Sequence, residues 1–172
     1  MLKTVGFMAI VAASSLAGNL VASSLGARVR QLGQLRVGLH LLESEVSYAL
    51  GALPGALGRV AGAVAPPVDV LFARTAAYLG SGTGMSAGEA WKTAARDVFP
   101  GTALEAGDMD VVLTLASHLG LTDRDDQVRH LRLAGERLAV KEDEARGEQR
   151  SLERMWRYLG VLGGLALGIV FL

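Results

Sequence analysis

Two apolar stretches close this chain, one at each end, and each carries arginines on its inner flank. Thr4 to Ala27 holds 24 residues without Asp, Glu, His, Lys or Arg, and Tyr158 to Leu172 holds 15. Arg28, Arg30 and Arg36 follow the first stretch, and Arg150, Arg154 and Arg157 precede the second. As a helix the first is roughly 36 Å long at ~1.5 Å per residue, enough to cross a hydrocarbon core of ~30 Å. The second reaches about 22 Å by itself. It lengthens if it starts at Met155 and Arg157 extends back to the headgroups. Trp156 and Tyr158 then stand at the interface, where amphipathic rings are favoured. The expected organisation is a transmembrane helix over 1–27, a cytoplasmic helical bundle over 28–150 and a transmembrane segment over 151–172. A cleaved signal peptide is the competing reading of the N-terminus. Lys3 suits it, as do the small residues from Ala22 to Ser24, but the run exceeds the ~7–15 apolar residues usual there.

Orientation follows from the placement of cations. Only Lys3 precedes the first stretch. The arginines on the inner flanks of both stretches put residues 28–157 in the cytoplasm and both termini outside. The stretches also share a packing pattern. Ser14, Gly18, Ala22 and Gly26 recur every four residues, as do Gly160, Gly164 and Gly168. Small residues at this spacing occupy one helix face and let two backbones approach closely in lipid. Helix packing between the two ends, or between protomers of a homo-oligomer, is the expectation.

Charge and composition narrow the function. Seventeen Lys and Arg balance 17 Asp and Glu, and aromatics make up 5%. Neither an electrostatic nor a stacking case exists for nucleic acid. The absence of cysteine excludes disulfides, thiol catalysis and Cys-ligated metals, and suits a cytosolic domain.

Between the apolar ends the pattern is helical throughout. Leu32, Leu35, Leu39, Leu42, Val46 and Ala49 alternate by three and four, which predicts an amphipathic helix from about Arg28 to Leu50. Pro54 suits the first turn of a second helix running to about Val64. Pro66 and Pro67 break the chain before a third helix carrying Val70, Leu71 and Leu79. Gly80-Ser-Gly-Thr-Gly84 is a loop, with no Lys-Ser or Lys-Thr pair to make it a phosphate cradle. Ser86-Ala-Gly-Glu89 is a capping box opening a fourth helix with an apolar stripe of Trp91, Ala94, Ala95 and Val98. Pro100 and Gly101 end it. A fifth helix spans roughly Glu105 to Leu119, with Gly120 placed as its cap. Thr122 and the acids Asp123, Asp125 and Asp126 then open a sixth. Leu131, Leu138, Ala145, Leu152 and Leu159 recur every seven residues, and no proline interrupts the chain to its end. One helix is expected from about Asp123 into the membrane. Its charged middle, Lys141 to Arg150, has little to bury and reads as a solvated face or a stalk, with Gly147 as the favoured bend.

Chemistry is sparse. His40, His118 and His130 do not form a helical i, i+4 pair, and the spacing gives no metal site. Glu43 and Glu45 point in different directions on a helix and share no substrate; Glu43 flanks the apolar stripe and is placed to accept a hydrogen bond there or to meet a partner. The densest polar cluster is Asp123-Arg-Asp-Asp-Gln-Val-Arg-His130. It is either a well-solvated helix start, with Asp125 paired to Arg129, or a docking surface. No catalytic set and no cofactor site are legible.

Four segments carry a family resemblance: Arg30-Gln-Leu and Leu42-Glu-Ser-Glu-Val-Ser-Tyr48 in the first soluble helix, Leu119-Gly-Leu-Thr-Asp-Arg-Asp-Asp-Gln-Val-Arg-His-Leu131, and Met155-Trp-Arg-Tyr-Leu-Gly160. The chain resembles the stage III sporulation protein AB family of endospore-forming bacteria over essentially its whole length. The soluble part of that family is similar to cytoplasmic domains of type II secretion platform proteins. The resemblance implies an all-α fold, with an N-terminal transmembrane helix, a six-helix soluble bundle and a long last helix running into the C-terminal membrane segment. It also implies a multi-pass protein on the mother-cell side of the membrane around the forespore. The partners it implies are other stage III proteins, including a secretion-type ATPase, the AA protein of the same stage. Leu50-Gly-Ala-Leu-Pro54 departs from the family pattern in carrying less apolar bulk. Glu43, Glu45, Tyr48, Arg124, Asp125, Gln127, Arg129 and His130 are the candidate partner-binding residues. Gly18, Ala22, Gly26, Gly160, Gly164 and Gly168 are the candidates for membrane packing.

Two functions from different classes follow. One is a non-enzymatic platform component of a secretion-like sporulation channel. The other is a membrane-anchored small-molecule sensor or enzyme, which requires a polar pocket with convergent ionisable groups.

Overall fold

A computed structural model describes residues 26–48, 52–82, 84–120 and 123–170, with backbone alone at Glu153 and over 156–170. Among the described residues the chain is all helical. Helix α1 covers residues 26–48. It is followed by α2 (Leu53–Ala61), α3 (Val68–Gly80), α4 (Ala87–Val98), a 3-10 turn (Phe99–Gly101), α5 (Ala106–Ala116) and α6 (Arg124–Val170). From α2 onward each α-helix packs against the next along the chain.

The three-four alternation of α1 is the core-facing stripe: Leu32, Leu35, Leu39 and Leu42 are buried. Opposite them, Leu131, Ala134, Leu138 and Ala145 of α6 are buried too. Leu131, Leu138 and Ala145, the first three members of the seven-residue repeat, therefore lie on the seam that faces α1. Phe72 of α3 and Trp91 of α4 meet in the core edge to face, with ring centroids 5.5 Å apart. The Trp91 indole N–H donates to the Val112 carbonyl at 2.8 Å, so the largest buried side chain leaves no polar atom unpaired.

The helix boundaries follow local chemistry. Pro54 sits in the first turn of α2, where its missing N–H removes nothing. The helix stops at Ala61, three residues short of Val64: the Gly62 N–H still reaches the Gly58 carbonyl, but the Ala63 N–H bonds the Val60 carbonyl three residues back, and the last turn tightens. The capping box of α4 forms as expected, with Ser86 accepting from the Glu89 N–H and Glu89 accepting from the Ser86 N–H. These bonds from Ser86 hold the Glu89 carboxyl below the usual carboxylate range. Helix α5 ends at Ala116 and not at Leu119. A turn follows, and Gly120 closes it in the left-handed region at φ 77°, a conformation glycine adopts without strain. Thr122, expected to cap α6, lies outside the described residues. The helix opens with the Gln127 N–H on the Asp123 carbonyl.

The charged middle of α6 departs from expectation. It is neither fully solvated nor a free stalk, because Glu142 and Ala145 are buried against α1. Gly33 of α1 lies over Glu142, its Cβ position 3.4 Å from Oε1, an ordinary contact distance. Arg146 donates to Glu142 from one turn on, and Arg36 stands 3.5 Å away. A charge run reads as solvent-facing when its cross-helix partners are unknown. Here Arg36 across the seam and Arg146 along the helix supply cationic partners to a buried carboxylate. The helix also continues through Gly147.

Among the described residues no helix is long and apolar enough to cross a membrane. The N-terminal span expected over 1–27 lies outside them except for Gly26 and Ala27, which open α1. Over 151–170 the backbone is the continuation of α6.

Candidate functional site

Helices α1 and α6 run antiparallel, and their contacts can be followed rung by rung. At one pole Arg124 donates to the Val46 and Ser47 carbonyls at the end of α1. Next comes Glu43, which accepts from Arg132 Nη2 at 2.7 Å. Gly33 lies over Glu142. At the other pole Arg28 Nη1 is 3.1 Å from Glu148, and the Gln149 side chain stands 3.8 Å from the Cβ position of Gly26. Residue 26 thus lies beside residue 149, so the two apolar ends of the sequence join the bundle at the same pole.

Arg28 organises that pole. Its guanidinium grips Asp108 with two bonds, Nε to Oδ2 at 2.9 Å and Nη2 to Oδ1 at 3.1 Å. Glu105 stands 2.9 Å away. Asp108 is wholly buried and also accepts from the Glu105 N–H at 2.9 Å, which completes the capping box of α5. One cation therefore fixes the start of α1, the start of α5 and the middle of α6. The Asp108 bond and its charge hold the Arg28 pKa above its usual value. From sequence Arg28 reads as a membrane-flanking cation and Asp108 goes unnoticed. The acid three residues after Glu105 is the signal that points to Asp108, since it has the spacing of a capping box.

The structure disperses the candidate partner-binding residues. Glu45 accepts from Arg59 of α2, with Nε at 3.0 Å, and this bond lowers its pKa. Glu43 faces Arg132 of α6, with His40 at 3.5 Å. The two carboxylates point to different helices, as their spacing predicts. Tyr48, at the end of α1, is 87% exposed. It lines a groove of about 450 Å³ together with Leu41, Ser44, Glu45, Arg59 and Val60.

In the polar cluster at the start of α6, Arg124 serves α1 as the cap of its last carbonyls. Asp125 is exposed. Arg129 pairs with Asp126 at 2.6 Å, so the expected Asp125–Arg129 pairing is corrected. The reason is geometric: both acids are within one turn of Arg129, and Asp126 also lies on the side occupied by His130, 3.6 Å away. Gln127 is half-buried. The imidazoles of His130 and His118 stack with centroids 3.4 Å apart, a pairing between α6 and the turn after α5 that spacing along one helix does not reveal. Gly18 and Ala22 lie outside the described residues. Gly26 is in α1, and Gly160, Gly164 and Gly168 are on the α6 backbone.

Comparison with known proteins meets the fold at this point. The chain matches the family model described as stage III sporulation protein AB over residues 3–172. It is 34% identical to the stage III sporulation protein AB of Bacillus subtilis (strain 168), over 97% of both chains. It is also similar to a solved structure of stage III sporulation protein AB (SpoIIIAB), with a TM-score of 0.69 and 32% identity, covering 73% of this chain and 98% of that one. On sequence and on fold together, this chain belongs to the stage III sporulation protein AB family.

Proposed function

We propose that this sporulation protein is a membrane-held platform component of a secretion-like channel complex assembled during endospore formation. In this reading both ends span the membrane and the bundle faces the mother-cell cytoplasm. The observation that carries it is the common pole. Residue 26 lies beside residue 149, so two apolar segments entering a bilayer there demand no rearrangement of the bundle. Each is flanked by arginine, and Arg30 remains an exposed cation at that end. The small-residue repeats at Gly18, Ala22 and Gly26 and at Gly160, Gly164 and Gly168 support packing within the membrane, between the two spans or between copies.

The opposite pole is free to meet other stage III proteins, with the secretion-type ATPase AA as the favoured partner. Tyr48, Asp125 and Arg129 are exposed there. The alternative, a sensor or enzyme, needs convergent ionisable groups. In the α1–α2 groove the acid Glu45 is already held by Arg59, and in the α1–α6 seam Glu43 is held by Arg132. These pairings favour scaffolding.

The test is affinity purification of the full-length protein from detergent extracts of sporulating cells. The ATPase is expected to come down with the wild-type chain and to be depleted with Arg129→Glu, whose helicity stays unchanged because exposed ion pairs contribute little to folding. Recovery of the chain alone, carrying a bound metabolite, would favour the alternative.

A further inference from the structure

The turn after α5 and the first two turns of α6 bring three donor side chains together. Asp126 and His130 are four residues apart on α6, and His118 reaches them from the turn that follows Ala116. One donor atom from each lies within 4.8 Å of the others. The Asp126 carboxylate is already 3.6 Å from His130 Nε2. All three residues are half-buried. They stand beside a cavity of about 140 Å³ lined by Val111, Thr114 and Leu115 of α5 and by Leu133, Ala134 and Arg137 of α6.

We infer that His118, Asp126 and His130 form a binding site for a divalent transition-metal ion of the zinc type. Two imidazoles and one carboxylate are a donor set that suits Zn²⁺, Co²⁺ and Ni²⁺; calcium and magnesium prefer oxygen throughout. Bond lengths near 2.0–2.2 Å place tetrahedral donors roughly 3.4 Å apart. The Asp126–His130 separation meets that distance. The stacked rings, whose planes differ by 10°, splay so that a lone pair from each converges on the ion. The movement asked for is a rotation of the two imidazoles about their side-chain torsions. Arg129, which bonds Asp126, is 69% exposed at its side chain and is released to water at small cost. Three donors leave one position for water. A bound ion would clamp the end of α5 to the start of α6, at the pole away from the apolar ends and beside the cluster proposed for docking.

The experiment is titration of tag-free, full-length protein in detergent micelles with Co²⁺, followed by its visible absorption. One Co²⁺ per chain, displaced by Zn²⁺, is expected. The signal should disappear in His118→Gln and in His130→Gln, weaken in Asp126→Asn, and persist in His40→Gln, which alters the remaining histidine. Circular dichroism of each variant confirms that it is folded. Absence of saturable one-to-one binding by the wild-type chain overturns the site. So does binding that survives in both His118→Gln and His130→Gln.

Discussion

A single guanidinium illustrates what one residue can settle in this protein. Arg28 sits where a membrane-flanking cation is expected, yet it is buried against Asp108, Glu105 and Glu148. Truncating it leaves the buried Asp108 carboxylate without its counter-charge. Arg28→Met is expected to lower stability by about 3–5 kcal/mol, measured by urea denaturation with far-UV circular dichroism. Adding Asp108→Leu should recover part of that loss, since an apolar pair can replace a buried ion pair. Recovery stays incomplete because the Glu105 N–H loses its acceptor, a cap worth about 1 kcal/mol. Full recovery would show that the capping contact contributes nothing.

At the scale of helices, close approach decides more than propensity. Gly88 of α4 lies against the backbone of α5, where an added Cβ would collide with the Ala116 carbonyl oxygen. A carbonyl in a packed helix cannot yield as a side chain can. Gly88→Ala is therefore expected to destabilise by about 1–3 kcal/mol through overpacking, despite the gain in helix propensity of about 1 kcal/mol. Gly135 of α6 is the internal control, because a Cβ there meets nothing within 4 Å. Gly135→Ala should stabilise, so the two substitutions differ in sign in the same thermal melt. The sequence makes these elements legible wherever the signal is local. Leu32, Leu35, Leu39 and Leu42 of the α1 stripe, the Ser86 capping box and the proline breaks fall where periodicity and turn chemistry put them. It is silent where the reason lies across the bundle. Glu142 reads as solvated until Gly33, Arg36 and Arg146 surround it. Asp126 and His130 read as a polar helix start until His118 stacks on His130.

For the molecule as a whole, the antiparallel α1–α6 pair is the organising fact. It sets residue 26 beside residue 149 at one pole and the start of α6 against the end of α1 at the other. Helix order and the apolar ends can be read from sequence, but which ends meet cannot, because that depends on the register of two helices a hundred residues apart. The candidate partner residues show the same division. Their exposure at Tyr48, Asp125 and Arg129 agrees with a docking role, whereas Arg124 is committed to capping α1. The central claim, that both ends lie in the bilayer with the bundle in the cytoplasm, is open to a direct measurement because the chain contains no cysteine. Single-cysteine variants Leu2→Cys and Ala77→Cys, the latter at an exposed site on α3, are expressed in vegetative cells and treated with a membrane-impermeant maleimide. Labelling of Leu2→Cys in intact cells, and of Ala77→Cys only after permeabilisation, is the predicted result. Labelling of Ala77→Cys in intact cells would contradict it.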